Sequence, residues 1–564
     1  MIVYLQTKSF IYQSLNNLKH RYLSMEKRII WSRLNHSVGY FLYTFIGAYF
    51  VWSIVNISLA YNIELNRTGI AVNILALLVE VLSFFFALYF AMQLIDGVLR
   101  VGEVPYDLKS ISGKTKVSVI VPIHNVQPSV LEETLSGFSK QTYPNYDVWV
   151  GDDSTNEELR KSCEEISKKY NAIYYYEPND RFKAHMVNIV IPKTDGDLIA
   201  FFDVDHIPEP DILEKFVAIM EQYPEYAFIQ AKFGFRNVTN LLHVWEAMSL
   251  TQQFCSENGR RRIGTVLYSG STAIFRREYA YPLPECQMTE DFDHSVTLIM
   301  DGKKGYYLDE IGSMSLVPET MPHQISQLFR WFTGQSGILY DHSGDLIKNT
   351  LKGKMKFRQA LDIVSSALLV VVGTSFYFLG IFYTFLYYLK IPLVRAWFLG
   401  QLWLVIILSL TFIIYFSTFI ATTLYTMKSA TFPLKLWHVP FFLTFGSLTA
   451  PFFLIPAIKG LFGKNKMIPG KTKWNKKIPL YRWATLFSAI GIFFLYLTVD
   501  SILQQLCSWY GSIFGFCSYS DPYLNYFFVL FGMMGLTLAF SLPFIYFSNK
   551  IFKPKIFEEK HIYH

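Results

Sequence analysis

The hydrophobic positions of this 564-residue chain follow two regimes. From about Val38 to Leu59, and again from about Ile70 to Leu94, the sequence is apolar and aromatic, with Glu80 the one charge. Each run is long enough to span the roughly 30 Å core of a bilayer. The loop between them, Tyr61 to Thr68, is short, so the pair reads as a helical hairpin. Between about 98 and 350 charges return and short apolar runs alternate with helical stretches. The pattern predicts a strand Val117–Pro122, a helix Leu131–Gln141, a strand Tyr146–Val150, a helix Glu157–Lys169 and a strand Ala172–Tyr176. A fourth strand, Leu198 to Phe202, ends in Asp203-Val204-Asp205-His206-Ile207-Pro208, where the proline is expected to stop further pairing. Strands alternating with helices imply right-handed crossovers and a mostly parallel, doubly wound α/β sheet. Such sheets meet ligands beyond the carboxyl ends of their strands, and Asp152, Asp153, Asp203 and Asp205 all fall there.

Past a basic stretch (Lys352, Lys354, Lys356, Arg358) the apolar regime resumes. Leu361 to Leu389 and about Trp397 to Tyr425 read as two spans, and about Trp483 to Leu503 and Tyr523 to Phe547 as two more. The stretch Trp437 to Leu461 is broken by Pro440, Pro451 and Pro456 and followed by a very basic segment. Were it a span, that segment would lie outside, against the positive-inside rule, so it reads as an interfacial or re-entrant helix. Four parts follow: a cytosolic segment 1–36, a transmembrane hairpin 37–97, a cytosolic domain 98–350, and a membrane region 351–564 with an interface helix 437–461 and a basic loop 462–482. The count is six spans, with both termini cytosolic in a multi-pass protein of the cell membrane.

Composition agrees with that division. Hydrophobic residues make up 52 % and charged residues 17 %, against about 25 % charged in a soluble domain. The net charge of +7 comes from Lys and Arg flanking apolar runs, with no basic stripe of the kind that binds nucleic acid. The first 36 residues lack the compact apolar core of a cleaved signal peptide. The five cysteines form no zinc spacing or disulfide framework, although Cys507 and Cys517 share an external loop where a disulfide could form.

The candidate chemistry begins with Asp203 and Asp205. Two carboxylates one residue apart at a strand end suit Mg²⁺ or Mn²⁺ with substrate phosphates; the plainer alternative is a turn with solvated acids. Neither a Gly-x-Gly-x-x-Gly nor a Gly-Lys-Ser/Thr loop is present, which leaves dinucleotide folds and P-loop enzymes unsupported. Gln327, Arg330 and Trp331 lie at i, i+3 and i+4, one helical face carrying an amide, a guanidinium suited to phosphate and an indole for stacking. The same face would serve as a membrane-interface anchor.

Taken in order, these motifs resemble the membrane-embedded family 2 glycosyltransferases, the group of cellulose, hyaluronan and chitin synthases. The resemblance rests on Val119-Ile120-Val121-Pro122 with Asn125, Asp152-Asp153-Ser154, Lys183-Ala184 and Asp203-Val204-Asp205-His206. It continues through Ser269-Gly270-Ser271, Thr289-Glu290-Asp291 and Gln327-Leu328-Phe329-Arg330-Trp331, and covers about residues 115–335. It implies a GT-A-type fold between membrane helices, a nucleotide-sugar donor, foremost a UDP-sugar, and a divalent ion held by Asp203, Asp205 and His206. His206 as a simple turn hydrogen-bonding group is the alternative. By the same resemblance Asp153 meets the uracil, with Asp152 capping the next helix, and Lys183 faces the pyrophosphate. Ser269, Gly270 and Glu290 line the substrate site with Asp203, and Gln327, Arg330 and Trp331 face donor and acceptor. Asp291 is the expected general base, Glu290 and Asp293 being the residues most easily confused with it. One base without a second nucleophilic carboxylate implies single displacement with inversion.

Tyr268-Ser269-Gly270-Ser271 departs from the Phe-Cys-Gly-Ser of cellulose synthases, and Lys471-Thr472-Lys473-Trp474 lacks their Phe-x-Val-Thr loop pattern. The first departure leaves the acceptor open, but the membrane content, the Gln-x-x-Arg-Trp motif and the basic loop point to a processive β-glycan synthase that also passes its polymer through its own helices. A non-processive enzyme adding one sugar to a lipid is the alternative, and a channel with a vestigial transferase domain is a third. Nothing in the chain specifies the sugar, the oligomeric state or an accessory subunit.

Overall fold

The computed structural model describes residues 25–60, 67–178, 182–319 and 321–368, then residue 371 and short stretches or single positions between 420 and 539, of which 453–467 and 488–496 are the longest. Most of the four C-terminal spans, the basic loop around Lys471, and Cys507 with Cys517 lie outside the described residues.

Two long helices come first among the described residues, α1 (Met25–Ala60) and α2 (Arg67–Val98). Within them Lys27–Val55 and Ile70–Val98 are long and apolar enough to cross a membrane. Leu42, Ile46 and Tyr49 of α1 interlock with Leu77, Phe84, Leu88 and Met92 of α2. Glu80, the charge in the second apolar run, is buried and accepts the Tyr49 hydroxyl at 2.8 Å. An unpaired charge there would be costly, so the pairing follows from burial.

The α/β domain carries strands β1 (Val117–Ile123), β2 (Tyr146–Asp152), β3 (Ile173–Tyr176), β4 (Leu198–Phe201), β5 (Ile207–Pro208), β6 (Tyr226–Phe235), β7 (Ala273–Arg276) and β8 (Lys304–Ser315). Its helices are α3 (Pro128–Phe138), α4 (Glu157–Lys169), α5 (Phe182–Val190), α6 (Ile212–Gln222), α7 (Leu241–Arg260), α8 (Arg277–Ala280), α9 (Glu290–Met300) and α10 (Met321–Leu351). The sheet order is β3-β2-β1-β4-β7-β6-β8-β5. β1 to β4 form a parallel half, as the alternating pattern predicts, and β1 is apolar along nearly its whole length because both of its faces are covered. The second half departs from that expectation. β7 runs antiparallel to both β4 and β6, so the sheet is mixed.

Pro208 does not stop pairing. Ile207 and Pro208 cross the sheet's carboxyl edge and pair antiparallel with Met314 and Ser313 of β8, at the far edge. An edge strand is where a residue without an N–H is tolerated. The Asp203-to-His206 turn is thus fixed at both ends by the sheet.

The hairpin and the domain meet at a glycine-mediated crossing of α2 and α7. A Cβ on Gly97 would lie 1.9 Å from the Cys255 carbonyl oxygen, and one on Gly259 would lie 2.2 Å from that of Gln93. Around this crossing Asp362, in the helix 357–368, accepts from the Tyr89 hydroxyl (3.0 Å), Gln93 Nε2 (2.6 Å) and the Thr265 hydroxyl (2.6 Å), and pairs with Arg260. Asp96 similarly gathers Ser32, His36 and Arg262.

Gly97→Ala is expected to cost about 1–3 kcal/mol, as forced overpacking does. Thermal unfolding of the full chain in micelles measures it. Gly47→Ala, whose Cβ meets nothing within 4 Å, should not lower the unfolding temperature.

Candidate functional site

The site lies along the carboxyl edge where the two halves of the sheet meet. β4 ends at Phe201, and the chain turns through Asp203, whose carbonyl accepts from the His206 N–H at 3.0 Å. The Asp203 N–H is held by the Ser271 hydroxyl (2.9 Å), and the Thr134 hydroxyl donates to the Val204 carbonyl (2.5 Å). Ligand atoms of Asp203, Asp205 and His206 all lie within 4.8 Å of one another. Two hard carboxylates and one imidazole suit Mg²⁺ or Mn²⁺. His206 is buried, and its Nδ1 lies 3.0 Å from both the Thr272 and Ser313 hydroxyls. These contacts fix the ring's orientation and leave Nε2 as the nitrogen for a ligand. Burial favours the neutral imidazole that ligation requires. The turn-residue and ligand readings of His206 are therefore both served by one geometry.

Opposite this turn, Lys183 at the start of α5 donates to Asp203 Oδ1 (2.5 Å) and to the Gly270 carbonyl (2.8 Å). Burial works against its charge, but Asp203, Glu290 and Asp291 together hold the ammonium above its ordinary value. Gly270 sits at φ +83°, and a Cβ there would come within 2.9 Å of Asp291 Oδ2. Glycine is required on both counts. Asp291, in the first turn of α9, accepts from the Phe292 N–H at 2.8 Å. Burial, then the adjacent Glu290 carboxylate, push its carboxyl up to about 7, while Lys183 and Arg330 pull the other way.

Asp293 is excluded from the site by its partner. It is buried against His342 of α10, with Nε2 and Oδ1 2.5 Å apart. α10 approaches closely, since a Cβ on Gly334 would meet the Thr289 hydroxyl at 2.3 Å. Gln327, Arg330 and Trp331 share the expected helical face. Gln327 Oε1 and Arg330 Nε are buried without a hydrogen-bond partner among the described residues, and the Arg330 charge reaches both Asp203 and Asp291.

At the β2 end, Asp153 is buried with Oδ1 2.8 Å from His124 Nδ1. Asp152 does not cap α4. It accepts from the Ser154 N–H (2.7 Å) and the Tyr174 hydroxyl (2.5 Å), and the cap is Asn156, which accepts from the N–H groups of Glu158 and Leu159. Asp152 is fully buried with each oxygen engaged, so it is not presented to a ligand.

Two residues escaped sequence reasoning. His124 borders Asp153 as described. Gln230 on β6 is fully buried; its Oε1 accepts from the Ser269 N–H (2.8 Å) and its Nε2 donates to the Ser271 carbonyl (2.9 Å). It therefore grips the Gly270 turn from both sides. A lone amide within the apolar run Tyr226–Phe235 was the signal available.

The sequence profile described as Glycosyl transferase family 2 matches residues 118–282. A probable glucomannan 4-beta-mannosyltransferase 14 of Arabidopsis thaliana is 25 % identical over 264 residues, covering 43 % of this chain and 49 % of that one. A UDP-forming cellulose synthase catalytic subunit of Pseudomonas fluorescens is 26 % identical over 237 residues, covering 39 % of this chain and 31 % of that one. The chain thus spans between about a third and a half of the length of these curated relatives. Among solved structures, a mannosyltransferase from Pyrobaculum calidifontis in complex with GDP-Man and Mn²⁺ aligns at 16 % identity and a TM-score of 0.43, over 70 % of this chain and all of that one.

Gly270→Ala should destabilise the chain by about 1–2 kcal/mol from left-handed backbone alone, and further by the push on Asp291. Gly113→Ala has the same kind of backbone (φ +69°) but open space, so in chemical unfolding it should lose less than Gly270→Ala.

Proposed function

We propose, from the Glycosyl transferase family 2 match over residues 118–282 and the site geometry above, that this chain is an inverting, processive hexosyltransferase. It polymerises a β-linked glycan from a nucleotide-sugar, foremost a UDP-sugar, and passes the product across the membrane through its own helices. In this reading residues 98–350 are the cytosolic catalytic domain, 1–36 a cytosolic segment, 37–97 a transmembrane hairpin and 351–564 a membrane region with four further spans, both termini being cytosolic. The observation that carries the proposal is the position of Asp291, whose Oδ2 borders the Gly270 turn while Lys183 ties that same turn to Asp203.

The chemistry follows from those positions. Asp203, Asp205 and His206 would hold a divalent ion, which supplies neutralising charge to the leaving diphosphate. Lys183 adds a second positive charge to the pyrophosphate, and Ser269, Gly270 and Glu290 border the donor sugar. Asp153, with His124, receives the base. Arg330 faces the phosphates from α10, and Trp331 stacks the terminal acceptor sugar while Gln327 bonds its hydroxyls. Asp291 takes the proton of the acceptor hydroxyl as that oxygen bonds to the anomeric carbon. The bond to the diphosphate oxygen breaks, and its electron pair leaves with the nucleotide. A carboxyl poised near 7 is a far better base than an ordinary aspartate and is still ionised in half the molecules at neutral pH.

Asp291→Asn should lower sugar transfer by about 10²- to 10⁴-fold, the usual worth of a positioned base. Radiolabel transfer from UDP- and GDP-sugars with Mn²⁺ measures this. Since the working form is the carboxylate and its pKa is raised, wild-type kcat/KM should climb as pH rises through about 7 and level off above. An acid limb centred near 4 would remove Asp291 from the role. Sizing the product decides the rest: a long polymer supports the synthase, whereas a single sugar on an organic-extractable lipid overturns processivity and translocation.

A further inference from the structure

On α7, Glu246 is 2 % exposed, and its Oε1 has no hydrogen-bond partner among the described residues. Its Oε2 accepts from Nε2 of Gln324 on α10. Gln324 is 1 % exposed, and its own Oε1 is equally unpartnered. An arrangement selected for stability alone would not retain this. Burying an unsatisfied polar atom is costly, and an apolar pair of the same shape would be cheaper. Burial also pushes the Glu246 carboxyl up to about 7, and no hydrogen bond beyond that to Gln324 opposes this.

The pair's location gives it a use. α7 and α10 begin just beyond the carboxyl ends of β6 and β8, on the same sheet edge as the candidate site. At that end of β8, the Ser315 hydroxyl donates to Asp205 Oδ2 at 3.3 Å. Along α10, Gln324, Gln327 and Trp331 fall at i, i+3 and i+7, one stripe about 10 Å long. Gln327 Oε1 is a third buried, unpartnered acceptor on that stripe. Only burial and the Gln324 hydrogen bond act on Glu246, with no cation opposing them, so Glu246 and Gln324 do not suit a phosphate or carboxylate. They suit a neutral ligand rich in hydroxyl donors.

We propose that Glu246 and Gln324 form a saccharide subsite for the acceptor glycan, accepting hydroxyls of a sugar ring two helical turns from the ring at Trp331. The assignment rests on the glycan-synthase reading above. A neighbouring pair of ring hydroxyls supplies one donor to Glu246 Oε1 and one to Gln324 Oε1. Each replaces a bond to water that burial has removed, so the protein's cost of holding the pair dry is recovered when glycan is bound.

The test uses the purified full chain in micelles, titrated with β-1,4-linked gluco- and manno-hexasaccharides and followed by thermal unfolding and calorimetry. One of the two is expected to bind and to raise the unfolding temperature. Glu246→Leu and Gln324→Leu should each weaken that binding by about tenfold or more, the worth of a lost hydrogen bond to a fixed partner. Without saccharide, both should unfold at or above the wild-type temperature. Glu246→Gln keeps an acceptor and should stay within about threefold. Unchanged hexasaccharide affinity in both leucine variants overturns the subsite, as does a wild type that binds neither hexasaccharide. A marked loss of unliganded stability in Glu246→Leu also overturns it, because the residue would then be structural. Asp291→Asn separates the two readings: it should bind hexasaccharide like wild type while losing transfer. A wild type that binds in a Glu246-dependent way but transfers no sugar sinks the enzyme reading and leaves the subsite standing.

Discussion

The ammonium of Lys183 lies between the Asp203 carboxylate at 2.5 Å and the Gly270 carbonyl at 2.8 Å, and these two groups come from different halves of the sheet. Asp203 follows β4, the last strand of the parallel half, whereas Gly270 precedes β7, which runs against it. Neither loop is held by regular pairing at that point. The cation supplies what the ladder cannot, and Gln230 reinforces it from beneath by gripping the turn on both sides of Gly270. Asp291 depends on the result, because the space beside its Oδ2 exists only while Gly270 keeps its place and its left-handed backbone. Asp291, the metal candidates and the turn are therefore one mechanical unit.

Much of this unit was legible in the chain. The Asp203-x-Asp205 pair could be named from residue type and spacing at a strand end, whereas Lys183, His206, Gly270 and Asp291 were named by the resemblance to family 2 glycosyltransferases, and α4 was expected at its observed bounds, Glu157–Lys169. What escaped depends on non-local pairing. Whether Ile207 and Pro208 end a strand or begin one is decided by β8, about a hundred residues later. The antiparallel course of β7 is likewise set by the order in which distant strands dock. Asp152 was misjudged as a cap because Tyr174 and the Ser154 N–H, which use up its oxygens, are brought to it by the β2–β3 pairing and the turn. Asp293 stood beside Asp291 with the same side chain, and only His342 on α10 tells them apart.

The hairpin is bound to the domain by contacts of a different kind from those of a flexible tether. Gly97 and Gly259 bring the α2 and α7 backbones closer than any side chain would permit, and Asp362 then ties both helices to the helix 357–368. Helix packing at such short range is stiff, since interiors deform little. Because α7 also carries Glu246, the stiffness reaches the carboxyl edge of the sheet. In the proposed reading, where the domain delivers glycan to membrane helices, the acceptor must be held in register with them, and a rigid crossing accomplishes this without further parts.

The buried polar groups divide into two sets on the same principle. Asp362 and Asp96, each 1 % exposed, have every oxygen engaged by side chains of neighbouring elements. Such saturation is what stability demands of a carboxylate removed from water. Glu246 and Gln324 are comparably screened and Gln327 is half-buried, yet each leaves a buried oxygen unanswered, and Arg330 leaves a nitrogen. All four lie on or against one stretch of α10 at the sheet's carboxyl edge, while the saturated acids lie around α2 and its crossing with α7. Unanswered atoms are not confined to that face, since Gln252 of α7 and Arg261 just past its end also leave one each. What sets the α10 face apart is its place: it borders the candidate site, where Arg330 reaches both Asp203 and Asp291, so a ligand bound there is positioned to supply the missing partner.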